Sequence, residues 1–383
     1  MEKQKNIPIL RFPEFTGVWE KNNLGNLSDN VLYGMNSSAI SFDGLNKYIR
    51  ITDIDDNTRK FKPNPLTSPD GIIEDKYKLK KGDIVFARTG ASVGKSYLYD
   101  ENDGNLLFAG FLIKFSIKSD NAYFIYTQTL RDSYDKWVKL MSMRSGQPGI
   151  NAEEFKIFSF FKPTLPEQTK IATFLTAVDE RLNHLKQKKT LLEQYKKGVM
   201  QKIFDQEIRF KDDADNEYPE WEEKTLGNIT LKIQAGKDKG EFAGEFDLYG
   251  SMGIIGRCSN FTYDGNYILI ARVGANAGTI NLVSGKFCVT DNTLVLEVNQ
   301  EIDVNFCFYL LLKQNLNKLV FGSGQPLITG GQLKSESICL PTLPEQTKIA
   351  NFLSAIDEKI NCCTDQISKT DQYKKGLLQQ MFV

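Results

Sequence analysis

Two short segments of the 383-residue chain combine residue types that act on nucleotides in other proteins. The segment TGASVGKS (89–96) is close to a phosphate-binding loop, in which glycines bring backbone N–H groups to a phosphate and a lysine pairs with it. The segment is one residue too short for that loop, and its counterpart VGANAGTI (273–280) has no lysine. We therefore interpret it as a glycine-rich turn between two strands.

The segment PDGIIEDK (69–76) contains aspartate, glutamate and lysine, which are the residue types of a metal-dependent nuclease. Such a nuclease takes these residues from separate strands, whereas one loop holds all of them here. The single histidine, His184, gives acid–base or metal chemistry little support. The sequence therefore favours a protein with no catalytic residue or metal site of its own. The alternative is a stand-alone nuclease or NTPase that depends on Asp70 or Lys95.

Charge and cysteine content narrow the class of protein. The chain has 48 basic and 48 acidic side chains, so it has no overall field that would attract nucleic acid. Any binding of DNA would depend on local basic surface. Six cysteines without a C-x-x-C pair argue for a reducing compartment. The start MEKQKNIPILRF lacks a signal-peptide core, and the longest apolar run, FCFYLLL, is too short for a bilayer. We expect a cytoplasmic protein.

The chain contains the same series of landmarks twice. The octapeptide LPEQTKIA occurs at 165–172 and again at 343–350. Upstream of each copy lie SGQPGIN (145–151) and SGQPLIT (323–329), and further upstream ARTGASVG (87–94) and ARVGANAG (271–278). Because the order of these landmarks is the same, we predict two similar domains.

Each copy predicts strands first and helices later. Strand-like runs include YIRITDI (48–54), GDIVFAR (82–88) and NYILIAR (266–272), which are rich in β-branched and aromatic residues. Helical stretches are expected at about 121–142 and 304–320. The polar segment 205–221 between the copies reads as a linker.

A long helix is expected to close each copy. Thr164 and Glu167, like Thr342 and Glu345, have the spacing of a capping box. Apolar residues then recur in a heptad pattern over about five heptads, which predicts a helix roughly 60 Å long. The predicted seam and partner interface consists of Ile171, Leu175, Val178, Leu182, Leu185, Leu192, Ile349, Leu353, Ile356, Ile360, Ile367 and Leu377.

Such long stripes need another long helix to cover them, so we predict that the two helices pair antiparallel. An amphipathic helix lying on its own domain is the alternative. Five residues interrupt the seam and predict a weaker middle and late part: Lys189, Lys196, Cys363, Thr370 and Lys374.

These motifs resemble those of one protein family. With RFPEF (11–15), ARTGASVG, PTLPEQTKIATFLTAVDERL (163–182) and the second copies, the chain resembles the specificity subunits of type I restriction–modification systems. The resemblance implies an α+β fold, with two mixed α/β target-recognition domains separated by an antiparallel two-helix coiled coil. The expected segments are a first recognition domain (1–163), a first helix (164–206), a second recognition domain (207–340) and a second helix (341–383).

The resemblance also implies a function. Each domain would read one half of a split double-stranded DNA target, and the helix pair would set the gap between the halves. Two methyltransferase subunits would dock on the helices, and restriction–translocase subunits would join them. S-adenosylmethionine, ATP and magnesium are expected in those partner subunits, with no cofactor in this chain. A coiled-coil scaffold without a DNA role is a further alternative.

The residues that contact DNA are predicted from where the two copies differ. Base readout is expected from the unmatched zones 28–80 and 228–262, because two domains that read different bases would not share their base-reading residues. Arginine and lysine in these zones are candidates, since they can pair with guanine edges in the major groove. Arg88 and Arg272 occupy matching places, so we assign them to the fold or to phosphate contact. Each candidate has an ordinary surface charge as its alternative. The candidates are Arg50, Arg59, Lys60, Lys62, Arg88, Lys95, Arg144, Lys237, Lys239, Arg257 and Arg272.

Overall fold

A computed structural model describes residues 6–143, 147–240, 244–322 and 326–383. The chain forms two compact units. Unit 1 comprises Met1–His184 and Ile367–Val383, and unit 2 comprises Leu185–Gln366. Each unit therefore contains the first part of one long helix and the last part of the other. The four-segment division expected from the sequence stays a prediction, since the two units meet within the long helices.

Unit 1 is built around a small antiparallel sheet with the strand order β2-β9-β6-β7. Its strands are β1 (Glu20–Asn23), β2 (Ser28–Tyr33), β3 (Ala39–Ser41), β4 (Lys47–Ile49), β5 (Thr67–Pro69), β6 (Asp83–Ala87), β7 (Ser96–Leu98), β8 (Leu106–Phe108), β9 (Leu112–Ile117) and β10 (Ser159–Lys162). Its helices are α1 (Ala122–Gln128), α2 (Asp132–Ser142), α3 (Ala152–Lys156) and the first part of α4 (Leu165–Phe204). β4 and β8 pair in parallel beside this sheet.

Unit 2 is built around a six-stranded sheet with the order β12-β17-β15-β16-β13-β14. Its strands are β11 (Glu222–Thr225), β12 (Thr230–Ala235), β13 (Phe246–Gly250), β14 (Gly253–Cys258), β15 (Tyr263–Ala271), β16 (Ile280–Val289), β17 (Thr293–Val298) and β18 (Ser337–Leu340). Its helices are α5 (Leu226–Ile229), α6 (Val304–Gln314), α7 (Gly330–Lys334) and the first part of α8 (Leu343–Gln380). β13 and β16 pair in parallel, as β4 and β8 do in unit 1.

Local interactions decide where several predicted elements end. GDIVFAR and NYILIAR form β6 and β15 as predicted. YIRITDI does not form one strand, because the Asp53 carboxylate accepts from the backbone N–H and the guanidinium of Arg50 and closes a 3₁₀ turn at Ile51–Asp53. The helix predicted at 304–320 ends at Gln314, because Asn315 has a left-handed φ of 51°.

The long helices pack antiparallel within each unit. In unit 1, Ile171 and Leu175 near the start of α4 share a core with Leu377 and Met381 near the end of α8. In unit 2, Ile203 near the end of α4 shares a core with Ile349 and Leu353 near the start of α8. The prediction of an α+β fold with two similar domains and an antiparallel helix pair is confirmed.

The segment between the copies is more than a linker. Arg209 pairs with Glu345 at 2.9 Å. The ring of Phe210 packs on the ring of Phe352 on α8, with a centroid distance of 5.6 Å. Both residues match Arg11 and Phe12 of the first copy, where Phe12 contacts Phe174 at 5.9 Å. The segment 205–221 therefore begins the second copy of the repeat in the way that residues near Arg11 begin the first copy.

Candidate nucleic-acid interface

A cavity of about 900 Å³ opens on unit 1 where four strand ends meet. It lies beside the end of β2, the end of β4, the turn after β6 and the turn between β8 and β9. The side chains at its wall include aromatic, basic and small polar types, which is the composition that nucleic-acid sites combine. Its lining residues include Tyr33, Arg50, Ile51, Thr52, Arg88 and Phe111.

Arg88 is held in this cavity without an anionic partner among the described residues. Its guanidinium lies over the ring of Tyr33 at 5.2 Å and over the ring of Phe111 at 5.8 Å. Its Nε is buried and has no hydrogen-bond partner in the part of the chain that the structure describes. Two backbone bonds fix the residue, from its N–H to the Phe111 carbonyl (3.0 Å) and from the Ile150 N–H to its carbonyl (2.9 Å). A positioned, unneutralised guanidinium is suited to bind an anion.

Arg50 lines the same cavity but its charge is already neutralised. It forms two hydrogen bonds of 2.8 Å to the buried Asp53 carboxylate. This bond raises the pKa of Arg50. Its side chain is therefore a fixed wall of the cavity, and any contact with a ligand would use what remains of its donors.

The other described candidates in unit 1 do not line the cavity. Arg59 is half-buried, Lys60 is exposed, and Lys62 is exposed with Asp55 at 3.8 Å. Lys95 is placed differently from the expectation of a DNA contact, because it is buried and its ammonium binds the Ile54 carbonyl at 3.0 Å and Asp56 at 2.5 Å. Lys95 thus holds a loop in place. Arg144 lies outside the described residues, as do Ser145 and Ser323 of the repeated SGQP motif.

The candidates in unit 2 lie on the six-stranded sheet and its loops. Lys237 and Lys239 follow β12 and are exposed. Arg257 on β14 is exposed and pairs with Asp247 on β13 at 3.1 Å. Arg272 follows β15, at the place that Arg88 has after β6.

The backbone around Arg272 repeats that around Arg88. The Arg272 N–H donates to the Asn292 carbonyl at 2.9 Å, and its carbonyl accepts from Ile328 at 2.8 Å, as Arg88 does with Phe111 and Ile150. The following glycines also match, since Gly90 donates to Pro148 at 3.0 Å and Gly274 donates to Pro326 at 2.9 Å. The glycine-rich turn predicted for TGASVGKS is confirmed as part of this shared frame, between β6 and β7.

The LPEQ motif anchors each long helix to its unit. Glu167 is 2% exposed and accepts two hydrogen bonds of 2.7 Å from Arg11 and one of 3.3 Å from the Trp19 indole. In unit 2, Glu345 accepts from Arg209 at 2.9 Å and from the Trp221 indole at 3.2 Å. The capping-box spacing did not reveal this tertiary role, although the repeated Arg-Phe and Trp were visible in the sequence.

The predicted seam residues lie along the antiparallel helix halves. The buried ones are Ile171, Leu175, Val178, Leu182, Ile349, Leu353, Ile356 and Leu377. The half-buried ones are Leu185, Leu192, Ile360 and Ile367. The stripe is thus packed most tightly near the helix ends, where the β-rich parts of each unit cover it.

Two of the expected seam breaks are polar bridges between the helices. In unit 1, Lys374 pairs with Asp179 at 2.6 Å, and Asp179 accepts from the Tyr123 hydroxyl at 2.5 Å. In unit 2, Lys196 pairs with Asp357 at 2.6 Å, and Asp357 accepts from the Tyr309 hydroxyl at 2.7 Å. Sequence reasoning missed both triads, because it treated the lysines alone and not with the repeated aspartate.

Within the ranges 6–143, 147–240, 244–322 and 326–383, no group of three or more His, Cys, Asp or Glu side chains could hold a metal ion. No helix in the same ranges is long and apolar enough to cross a membrane.

Comparison with known proteins places the chain in a family. A family model described as the type I restriction modification DNA specificity domain matches residues 33–194 and 209–370. The chain belongs to this family of DNA specificity domains and carries two copies of the domain. The family suggested by the sequence motifs is thereby confirmed.

Curated relatives carry the same description. The chain is 28% identical over 349 residues to the putative type I restriction enzyme MjaX specificity subunit of Methanocaldococcus jannaschii, covering 80% of this chain and 81% of that protein. It is 30% identical over 169 residues to the type I restriction enzyme EcoprrI specificity subunit of Escherichia coli. That second match covers 42% of this chain and 41% of that protein.

Solved structures share the fold. The crystal structure of the type I restriction–modification S subunit from M. genitalium superposes with a TM-score of 0.66 at 19% identity, over 98% of this chain and 99% of that one. A chain from a study of complex assembly and conformational transition of a type I system gives 0.53 at 17% identity, over 95% and 97% of the two chains.

Proposed function

We propose that this chain is a non-catalytic subunit that reads a two-part double-stranded DNA target, one part with each unit. The observation that carries the proposal is the frame around Arg88 and Arg272, which is built twice with the same backbone bonds and different neighbouring side chains. A shared frame suits the DNA backbone, which is the same at every site, whereas different neighbours suit different bases. Membership of the DNA specificity family supports the same reading.

The charge distribution fits local recognition. The chain is neutral overall, so duplex DNA would be held at particular basic side chains and not by a general field. Arg88 is such a side chain, because it is positioned and lacks an anionic partner among the described residues.

We assign catalysis to partner subunits. Two methyltransferase subunits would dock on α4 and α8, and restriction–translocase subunits would complete the assembly in the cytoplasm. S-adenosylmethionine, ATP and magnesium would be bound by those partners. The lysines on the exposed face of α4, among them Lys186, Lys188 and Lys197, are available for such docking.

A nuclease or NTPase is the less favoured function. Lys95 would have to reach a phosphate, yet its ammonium is buried against Ile54 and Asp56. Asp70 lies at the surface beside Ser38 at 3.4 Å. Neither residue points to a reaction centre, so we keep DNA specificity as the proposed function.

Selection from random duplexes tests the proposal. The tagged full chain, purified from cells that also make its partner subunits, is mixed with a library of random duplexes, and the retained DNA is sequenced. We expect enrichment of one motif with two fixed parts separated by a gap of unspecified sequence. Enrichment of no motif, in a preparation that still contains the partner subunits, would contradict the proposal and favour a scaffold without a DNA role.

A further inference from the structure

The two units offer equivalent positions around the shared arginine. Each parallel strand pair ends in the same backbone bond, from the Ala109 N–H to the Ile49 carbonyl in unit 1 and from the Thr290 N–H to the Tyr249 carbonyl in unit 2, both 3.0 Å. The residues that follow Ile49 and Tyr249 are therefore equivalent. By this bond, Arg50, Ile51 and Thr52 correspond to Gly250, Ser251 and Met252.

Two further backbone bonds in each unit extend the correspondence to residues on the other side of the shared arginine. Arg88 and Arg272 donate to the carbonyls of Phe111 and Asn292, so these two residues are equivalent. Gly34 donates to Leu112 and Gly236 donates to Thr293, each at 3.0 Å, which makes the preceding residues Tyr33 and Ala235 equivalent. No Cβ fits at either glycine, because it would lie 2.1 Å from a carbonyl oxygen. The backbone is thus constrained alike, and the side chains beside it are not.

Several of the side chains that differ are exposed. Phe111 is 59% exposed and Met252 is 81% exposed, although both are large and apolar. Asn292 is also exposed. The turn that carries Met252 is held next to Asn292, because the Ser251 hydroxyl donates to the Asn292 carbonyl at 3.0 Å. Phe111 lines the cavity of unit 1, and Met252 has the position in unit 2 that corresponds to the cavity-lining Thr52. Large exposed apolar side chains of this kind mark a surface that contacts a partner.

We propose that this variable rim selects the bases, with Tyr33, Thr52 and Phe111 reading for unit 1 and Met252 and Asn292 reading for unit 2. The shared arginines contact phosphate. The inference rests on the proposed function, and it adds the residues that make the halves read different sequences. Phe111 and Asn292 lie outside the zones 28–80 and 228–262, from which the sequence alone predicted base readout.

The chemistry of the rim differs as readout requires. In the major groove, an asparagine amide can donate its N–H to N7 of adenine and accept a hydrogen bond from the N6 amino group with its oxygen. No other base offers this pair of groups in the major groove. A phenylalanine ring offers an apolar contact that suits the methyl group of thymine. Exchanging the two side chains between equivalent positions should therefore exchange preferences without disturbing the shared frame.

Reciprocal substitution at the equivalent positions tests the inference. Phe111→Asn and Asn292→Phe are introduced separately into the full chain with its partner subunits, and each variant is used in the selection from random duplexes. We expect Phe111→Asn to alter one or two adjacent positions in one part of the motif. Asn292→Phe should alter the other part only. Preference at an altered position should fall roughly five- to hundredfold, the range of one base contact.

Ile157→Asn is the matched control, because Ile157 is 59% exposed in unit 1 and does not line the cavity. It should leave both parts of the motif unchanged. Thermal unfolding of each variant shows whether it is folded, and Asn292→Phe tests the inference by itself if Phe111→Asn unfolds. A folded Asn292→Phe variant with the wild-type motif overturns the inference. A wild-type chain that enriches no two-part motif overturns the proposed function instead.

Discussion

Glu167 and Glu345 explain why the same octapeptide occurs twice. Each glutamate is buried at the start of a long helix and binds an arginine and a tryptophan from the beginning of its own copy of the repeat. The next residue is also buried, and the Gln168 and Gln346 amides accept from the backbone N–H of Asn121 and Asp303. The motif thus ties the start of each helix to its own unit.

Removing the charge at this anchor should destabilise unit 2. We expect Glu345→Gln to lower the stability of the fold by about 3 kcal/mol, since it leaves Arg209 without its buried partner. The urea concentration at the unfolding midpoint measures the effect. Glu193→Gln is the control, because Glu193 is exposed and lies 3.8 Å from Lys189, a pair expected to contribute about 0.5 kcal/mol or less. Equal midpoints for both variants would contradict the anchoring role.

The tyrosines of the two triads predict that the stability of the fold decreases at alkaline pH. Burial raises the pKa of Tyr309, and the nearby Asp357 carboxylate adds to the rise. The protonated phenol is therefore favoured in the folded chain. Its contribution to stability is complete below the unfolded-state pKa of about 10 and is lost as the pH rises above that value.

Tyr309→Phe should reveal this contribution. The variant should be less stable than the wild type near pH 8, and the difference should shrink above about pH 10. Urea midpoints at both pH values measure it. Tyr195→Phe, which changes an exposed phenol on α4, should differ little from the wild type at either pH. A Tyr309→Phe difference that stays constant with pH would argue against this account.

The shared arginines predict a loss of affinity that is the same for all sequences. Arg88→Met should weaken duplex binding evenly and reduce the salt dependence of the binding constant by about one ion. Fluorescence anisotropy over a series of salt concentrations measures the slope. Arg181→Met, which changes an exposed arginine on α4, should leave the slope unchanged. A change of base preference in Arg88→Met would mean that Arg88 reads bases.

Among the elements, the long helices were the most predictable from sequence. Their heptad stripe specifies a seam by local spacing alone, and α4 and α8 form close to the predicted bounds. The burial of Lys95 and the anchor at Glu167 were not predictable, since each depends on a partner far away in the chain. Arg11 and Glu167, for example, are 156 positions apart in the chain. Spacing within one element contains no information about such pairs.

The triads allow a direct test of antiparallel packing. Cysteines at 179 and 374, or at 357 and 196, should join through a short bismaleimide. In the native pairs the lysine ammonium lies 2.6 Å from the aspartate carboxylate, so the two residues face each other across the helices. The background would have serine at the exposed Cys339 and Cys362. Cleavage at a protease site placed between the helices then shows whether the fragments stay linked. Efficient linkage between cysteines at 179 and 357 would indicate parallel helices and contradict the structure.

At the scale of the whole molecule, the account predicts that the halves read DNA independently. Replacing residues 28–80 with the corresponding zone of a relative should change one part of the target and leave the other part intact. Selection from random duplexes measures both parts at once. Simultaneous change of both parts would contradict recognition by separate units.

Mapping of methylated bases across the genome, in cells with and without this gene, tests the central claim most directly. Specificity that resides in this chain predicts a methylated motif of two fixed parts around a gap, present with the gene and lost without it. Restoring the gene should restore the motif, and the Asn292→Phe version should restore it with one part altered. Methylation whose pattern is the same in the presence and absence of the gene would contradict the account.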